Sequence, residues 1–159
     1  MLATQTEATT AAVGSTLSRQ TRVGRAAGLD RWARVYARVA LGAAFLSAVA
    51  ARFGMWGSQS GWKNFGDFEA YTAQVNSFMP AATIPFLAWA ATAAETSIGI
   101  LLILSLWPRR TAFAAAALLA VFATAMAISF GIKSPLDYSV YSASAAALLL
   151  ALHQPRTER

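Results

Sequence analysis

Residues 84–107 read IPFLAWAATAAETSIGILLILSLW, a 24-residue block with one charged side chain, Glu95, near its middle. As a helix it would be about 36 Å long, enough to cross a hydrocarbon core about 30 Å thick. Pro80 and Pro85 bound it at one end and Trp107-Pro108 at the other. Three further apolar blocks surround it, and the helices they predict cover 33–53, 112–130 and 138–152. The expected fold is all-α: an antiparallel four-helix transmembrane bundle.

Composition agrees. Hydrophobic residues make up 57% of the 159 and charged residues 13%, about half of the roughly 25% usual in a soluble domain. Mean hydropathy is +0.46. The net charge of +6 is distributed by segment. Arg19, Arg22, Arg25, Arg31, Arg34 and Arg38 precede the first block, Arg109 and Arg110 lie between the second and third, and Arg156 and Arg159 follow the fourth. Only Arg52, Lys63 and Lys133 fall on the other side. Ten against three in alternating segments is the positive-inside pattern, with both termini cytoplasmic. Orientation in a membrane thus accounts for the basic pI, and nucleic acid is not an expected partner.

There is no cysteine, which excludes disulfides, thiol relays and cysteine-ligated metal or iron–sulfur centres. The single histidine, His153, lies outside every apolar block and offers no buried haem ligand. No metal site is expected. Electrons, if the protein handles any, must reside on a partner or a bound organic carrier.

Residues 1–30, rich in Ala, Thr, Gly, Ser and Arg without periodicity, are expected to form a disordered cytoplasmic tail on anionic headgroups, and 154–159 a short C-terminal one. Between Arg38 and Arg52 lie 13 uncharged residues, about 20 Å of helix. The first helix must therefore carry an arginine into the membrane. A cleavable signal peptide ending at Ala48-Val49-Ala50 is the rival reading, opposed by the long upstream region and by Arg52 just after the site. In the first extracytoplasmic loop, Phe65, Phe68, Thr72, Val75 and Met79 recur at helical spacing opposite Asp67, Glu69 and Gln74. That predicts a short amphipathic interfacial helix, acting as a plug over the bundle or a lid over a pocket.

Glu95 shares a face with Ala88, Ala91, Thr92 and Gly99, a small-residue face that turns it inward. A carboxylate at mid-membrane costs about 2.5–3.5 kcal/mol unless relieved. Arg38 and Arg52, fourteen residues apart, share one stripe of the first helix. Either could reach Glu95, as a packing ion pair or as part of a polar pocket. Asp137 precedes the fourth helix as an N-cap or first-turn acid, or else joins Arg52 in a polar cluster.

Three stretches carry a family resemblance: Arg38-Val39-Ala40-Leu41-Gly42 with Arg52-Phe53-Gly54; Glu95 and Gly99 with Leu106-Trp107-Pro108-Arg109; and Pro135-Leu136-Asp137-Tyr138-Ser139. Together, over about 33–152, they resemble the DoxX family of small bacterial inner-membrane proteins, where many relatives have a lysine at the place of Arg52. The resemblance implies a four-helix membrane protein. It maps the family's polar positions onto Arg38, Arg52, Glu95 and Asp137. The family is named for a subunit of a thiosulfate:quinone oxidoreductase, although most relatives have no assigned reaction. Three functions follow as expectations. The first is a membrane subunit of a quinone-linked redox system, with quinone as the cofactor class and other membrane or peripheral redox subunits as partners. The second is a structural scaffold of a larger complex, and the third a small lipophile-binding or transport protein.

Overall fold

The computed structural model describes residues 28–153, and these are helical with no strand among them. The helices are α1 (Gly28–Arg52), α2 (Phe65–Val75), α3 (Ile84–Leu104), α4 (Pro108–Phe130), α5 (Lys133–Asp137) and α6 (Val140–Leu152). Short 3-10 turns cover Gly57–Gln59 and Ala81–Thr83. Three segments, Gly28–Arg52, Ala81–Leu104 and Pro108–Phe130, are long and apolar enough to cross a membrane, while α6 is a shorter apolar helix. The expected tail over 1–30 gives up its last three residues to α1; residues 1–27 and 154–159 lie outside the described residues.

The chain divides after Tyr36 into two units. In the described part of the first, Arg34 pairs with Asp30 one turn back. The second unit, from Ala37 onward, holds the packed core: Leu41 and Phe45 of α1, Ile98 and Leu102 of α3, Ala112, Ala115 and Ala116 of α4, and Ala147, Leu150 and Ala151 of α6. Alanine meets alanine between α4 and α6, so the backbones approach closely, and Ser144 Oγ donates across the seam to the Ala116 carbonyl at 2.8 Å. The approach is also close where α1 crosses α3. A Cβ placed on Gly42 would stand 2.9 Å from the Gly99 carbonyl oxygen and 2.7 Å from Ile103 Cγ1. Only glycine permits that crossing without displacing backbone.

The outer faces are apolar too. Phe86, Trp89, Ile103, Val121, Ile128 and Leu149 are all exposed. In water so much contiguous apolar surface would drive association, whereas in lipid it is the ordinary solvent-facing surface.

Helix ends differ from the sequence expectation for local reasons. The second apolar helix was expected to run to Trp107, but α3 stops at Leu104 because Ser105 turns left-handed (φ 58°) and its N–H and that of Leu106 return to the carbonyls of Leu102 and Leu101. Trp107 is left-handed as well (φ 43°), and Pro108 then opens α4 four residues before the expected start at 112. Proline suits the first turn, where its missing N–H has no partner to lose. The fourth helix, expected from 138, starts at Val140: left-handed Ser139 (φ 55°) precedes it and separates it from α5, a helix where a loop was expected.

The amphipathic helix of the 53–83 loop is α2. Asn64 caps it, accepting the Asp67 N–H at 3.2 Å, while the Asp67 carboxylate accepts the Lys63 N–H at 2.8 Å, a reciprocal arrangement close to a capping box. Phe68, Thr72 and Val75 form its buried face. Met79, expected on that face, lies past the helix end and is exposed.

Candidate functional site

Arg52 is the last residue of α1 and Glu95 lies halfway along α3, yet they meet. Contacts descend α3 as they climb α1: Gly42 lies against Gly99, and Arg52 reaches Thr92 and Glu95. On that register Glu95 is level with position 46, six residues below Arg52, or about 9 Å along the axis. The arginine therefore reaches inward along α3. This is the reverse of the snorkelling by which membrane arginines usually seek the headgroups.

Its guanidinium is held on three sides. Nη2 donates to Glu95 Oε1 at 2.5 Å and Nη1 to Thr92 Oγ1 at 2.9 Å. Thr92 in turn donates to the Ala88 carbonyl at 2.8 Å, which fixes its hydroxyl as an acceptor toward the arginine. Thr92 and Glu95 are three residues apart on one helical face, so their oxygens suit the two-pronged guanidinium fork. A lysine, with one ammonium point, would not span both in the same way. The ring of Phe68, from α2, covers the guanidinium at 3.9 Å, a cation–π contact. Arg52 is 4% exposed and Glu95 2%. The Nε–H of Arg52 is buried without a hydrogen-bond partner.

Beside the pair lies a cavity of about 360 Å³. Arg52 and Glu95 line it, with Ala48 of α1, Leu87 and Ala91 of α3, Phe122 and Met126 of α4 and Ala143 of α6 making much of the apolar wall. Trp62, Tyr71 and Asn76 close it from the α2 side. Aromatic contacts run through this roof: Trp62 meets Phe68 edge-on at 5.2 Å, Phe65 stacks on Trp89 at 4.3 Å, and Tyr71 sits 6.2 Å from Phe130. Burial, and then Tyr138 nearby, push the Tyr71 phenol up from its ordinary value. The end of α2 is tied down by Ser129 of α4, which donates to the Val75 carbonyl at 2.6 Å.

The other two sequence candidates stand apart from this arrangement. Arg38 donates to Ser105 Oγ at the end of α3, and its Nε–H is buried without a partner. Asp137 caps nothing in α6: it is the last residue of α5, exposed, and pairs with Lys133 one turn back. Left-handed Ser139 occupies the N-cap position that the acid was expected to fill, and the intervening α5 turn gives Asp137 a lysine within its own helix. It therefore joins no cluster with Arg52. Among the described residues no group of three or more His, Cys, Asp or Glu could hold a metal ion.

Thr92 was on the Glu95 face in sequence, but its role as second acceptor depends on where Arg52 arrives. Phe68 was on the face predicted for the amphipathic helix, whereas Trp62 and Tyr71 lay off that pattern, and nothing in the sequence linked Ser129 to the Val75 carbonyl.

A family model, DoxX, matches residues 33–131. The chain belongs to the DoxX family. With three apolar helices of spanning length, this DoxX-family chain is a membrane protein. The match takes in Arg38, Arg52 and Glu95 and ends before Asp137 and α6. No curated protein and no solved structure matches the chain.

Proposed function

We propose that this DoxX-family protein is the membrane subunit of a quinone-linked redox system, with no redox centre of its own, and that its cavity holds the quinone. In this reading it crosses the bacterial inner membrane four times as an antiparallel bundle, both termini cytoplasmic. α1, α3 and α4 make three crossings; α5 and α6 together, over 133–152, make the fourth as a broken helix about 30 Å long. The arginine distribution sets the orientation, and α2 then lies at the extracytoplasmic interface.

The observation that carries the proposal is a polar pair on the wall of an apolar cavity. A cavity of about 360 Å³ falls within the size range of small-molecule sites, and such sites combine apolar walls with few polar groups. The guanidinium, already balanced by Glu95, presents donors to a carbonyl without asking for a net charge. Purification in mild detergent followed by mass spectrometry of extracted lipids tests this. A quinone retained at near-stoichiometric amount is the expected result; bulk phospholipid alone would refute it.

A second reading, an accessory protein that scaffolds other membrane or peripheral subunits, draws on the alanine seam between α4 and α6 and on the closure of the ion pair. Under it, Glu95 variants lose abundance and partner assembly together, and no lipophile is retained.

A further inference from the structure

Roof, floor and sides of the cavity are built differently. Toward the extracytoplasmic end it is covered by α2 and the residues leading into it, where Phe68 lies on Arg52, Trp62 meets Phe68 edge-on and Tyr71 leans on Phe130. Ser129 fastens the end of that helix to α4. Toward the cytoplasmic end the helices close on one another, with Leu102, Ala112, Ala115, Ala147 and Ala151 fully buried.

The side is different. Val121 lines the cavity and is also 62% exposed on the outer surface of α4. It is thirteen residues from Pro108 and nine from Phe130, or about 20 Å and about 14 Å along the helix. That places this rim in the middle of a span, where the surroundings are hydrocarbon. α3 and α4 draw together near their short connection, where Ile98, Leu101, Thr111 and Ala114 share a groove. Higher up, at Leu87, Ala91 and Val121, the cavity occupies the space that helix packing would otherwise fill.

We propose that this cavity is entered sideways from the bilayer, past Val121, and that its ligand is a neutral molecule already dissolved in the membrane. The proposal rests on the reading of the cavity as a ligand site and adds the route and charge class. The two halves support each other. A charged ligand would have to carry its charge through hydrocarbon to reach the opening, at several kilocalories of penalty, and Arg52 is already neutralised by Glu95. A fatty-acid anion would have to displace that glutamate; a ketone, quinone or ester would not.

The chain has no cysteine, so single-cysteine nitroxide labelling needs no background removal. Labels at Ala91→Cys on α3 and Ala125→Cys on α4, both cavity-lining, are read in full-length protein in phospholipid vesicles, with Ser58→Cys in the exposed loop as the water control. Relaxation by oxygen, which concentrates in lipid, is compared with relaxation by a water-soluble nickel chelate. Side entry predicts strong oxygen and weak chelate relaxation at both cavity labels, and loss of the oxygen effect at Ala91→Cys when Val121→Trp fills the rim. Chelate relaxation approaching that of the Ser58 label would mean entry from water, and weak relaxation by both would mean a sealed void; either overturns the proposal. Because this measurement needs no ligand, an open side with no retained lipophile would defeat the quinone reading and leave the route standing.

Discussion

Removing one partner of the Arg52/Glu95 pair should cost far more than removing both. Arg52 is 4% exposed and Glu95 2%, with the shared hydrogen bond at 2.5 Å. In Glu95→Leu the guanidinium keeps Thr92 and the Phe68 ring but loses its counter-charge, and it cannot shed its own proton. Stranding a buried charge in this way costs about 3–5 kcal/mol. Arg52→Met should cost less, because a lone carboxyl can take up a proton and become neutral; a buried polar group left without a partner costs about 1–3 kcal/mol. Glu95→Gln keeps an acceptor for Nη2 and should fall between wild type and Glu95→Leu. The double variant Arg52→Met/Glu95→Leu removes both charges and fills the space with apolar atoms. It should lie within about 1 kcal/mol of wild type, since buried ion pairs are often no more stabilising than apolar replacements.

The measurement is a double-mutant cycle from reversible unfolding in mixed micelles with increasing SDS, followed by far-UV circular dichroism. The two single losses less that of the double variant give an expected coupling of at least about 3 kcal/mol. A side-chain hydrogen bond inside a membrane protein contributes about 0.6 kcal/mol on average. A coupling no larger than that would refute the argument that two desolvated charges hold each other here.

Other consequences can be checked in the same preparation. Gly42→Ala should lower the thermal midpoint more than Gly99→Ala, because the first brings Cβ to 2.9 Å from a backbone carbonyl whereas the second meets first the movable Leu46 side chain; overpacking of this kind costs about 1–3 kcal/mol, and equal losses would contradict the crossing geometry. Arg52→Lys should keep the charge pair but lose the simultaneous hold on Thr92 and Glu95, with a stability loss of about 1 kcal/mol in the same unfolding assay. Ser129→Ala should cost about 1 kcal/mol and loosen α2, read as increased acrylamide quenching of tryptophan fluorescence; unchanged quenching would show that Ser129 does not fasten the roof. The Tyr71 phenol is held neutral above its ordinary value of 10.0. Its contribution is therefore complete below that pH and is lost as pH rises above it toward the folded value, so alkaline loosening of α2 should be absent in Tyr71→Phe.

Much of the architecture was legible because long apolar blocks allow few structures in lipid, and helix is the one that satisfies its own backbone. The inward direction of Glu95 was legible for a similar reason: Ala88, Thr92 and Gly99 leave space for a neighbour only on that face. What was not legible depends on distances between helices. Arg38 and Arg52 share one stripe, and the choice between them turns on a register fixed by the Gly42 and Gly99 crossing and on a 9 Å inward reach. The left-handed residues Ser105, Trp107 and Ser139 were also hidden, since none is the glycine or asparagine that usually marks such a position. Asp137 failed as a cap for that reason. The break fell at Ser139, two residues beyond it, and an extra turn of helix gave it Lys133 instead.

A pair that serves only to pack two helices is best placed where packing is complete, because every unfilled volume beside it forfeits contacts and each desolvated charge needs all its partners. The core formed by Leu102, Ala112, Ala115 and Ala147 shows that these helices can reach such packing. Arg52 and Glu95 sit instead on the edge of a cavity of about 360 Å³, with the Nε–H of Arg52 left without a partner. If stability alone set the residues here, the apolar double replacement would be as good or better and the cavity would be a defect. The variant Arg52→Met/Glu95→Leu therefore separates the two roles. Scaffolding predicts that it folds, accumulates and assembles as wild type does. A binding role predicts that it folds equally well and loses a retained neutral lipophile. The second outcome would show that the ion pair is present for what enters the cavity and that its contribution to packing is incidental.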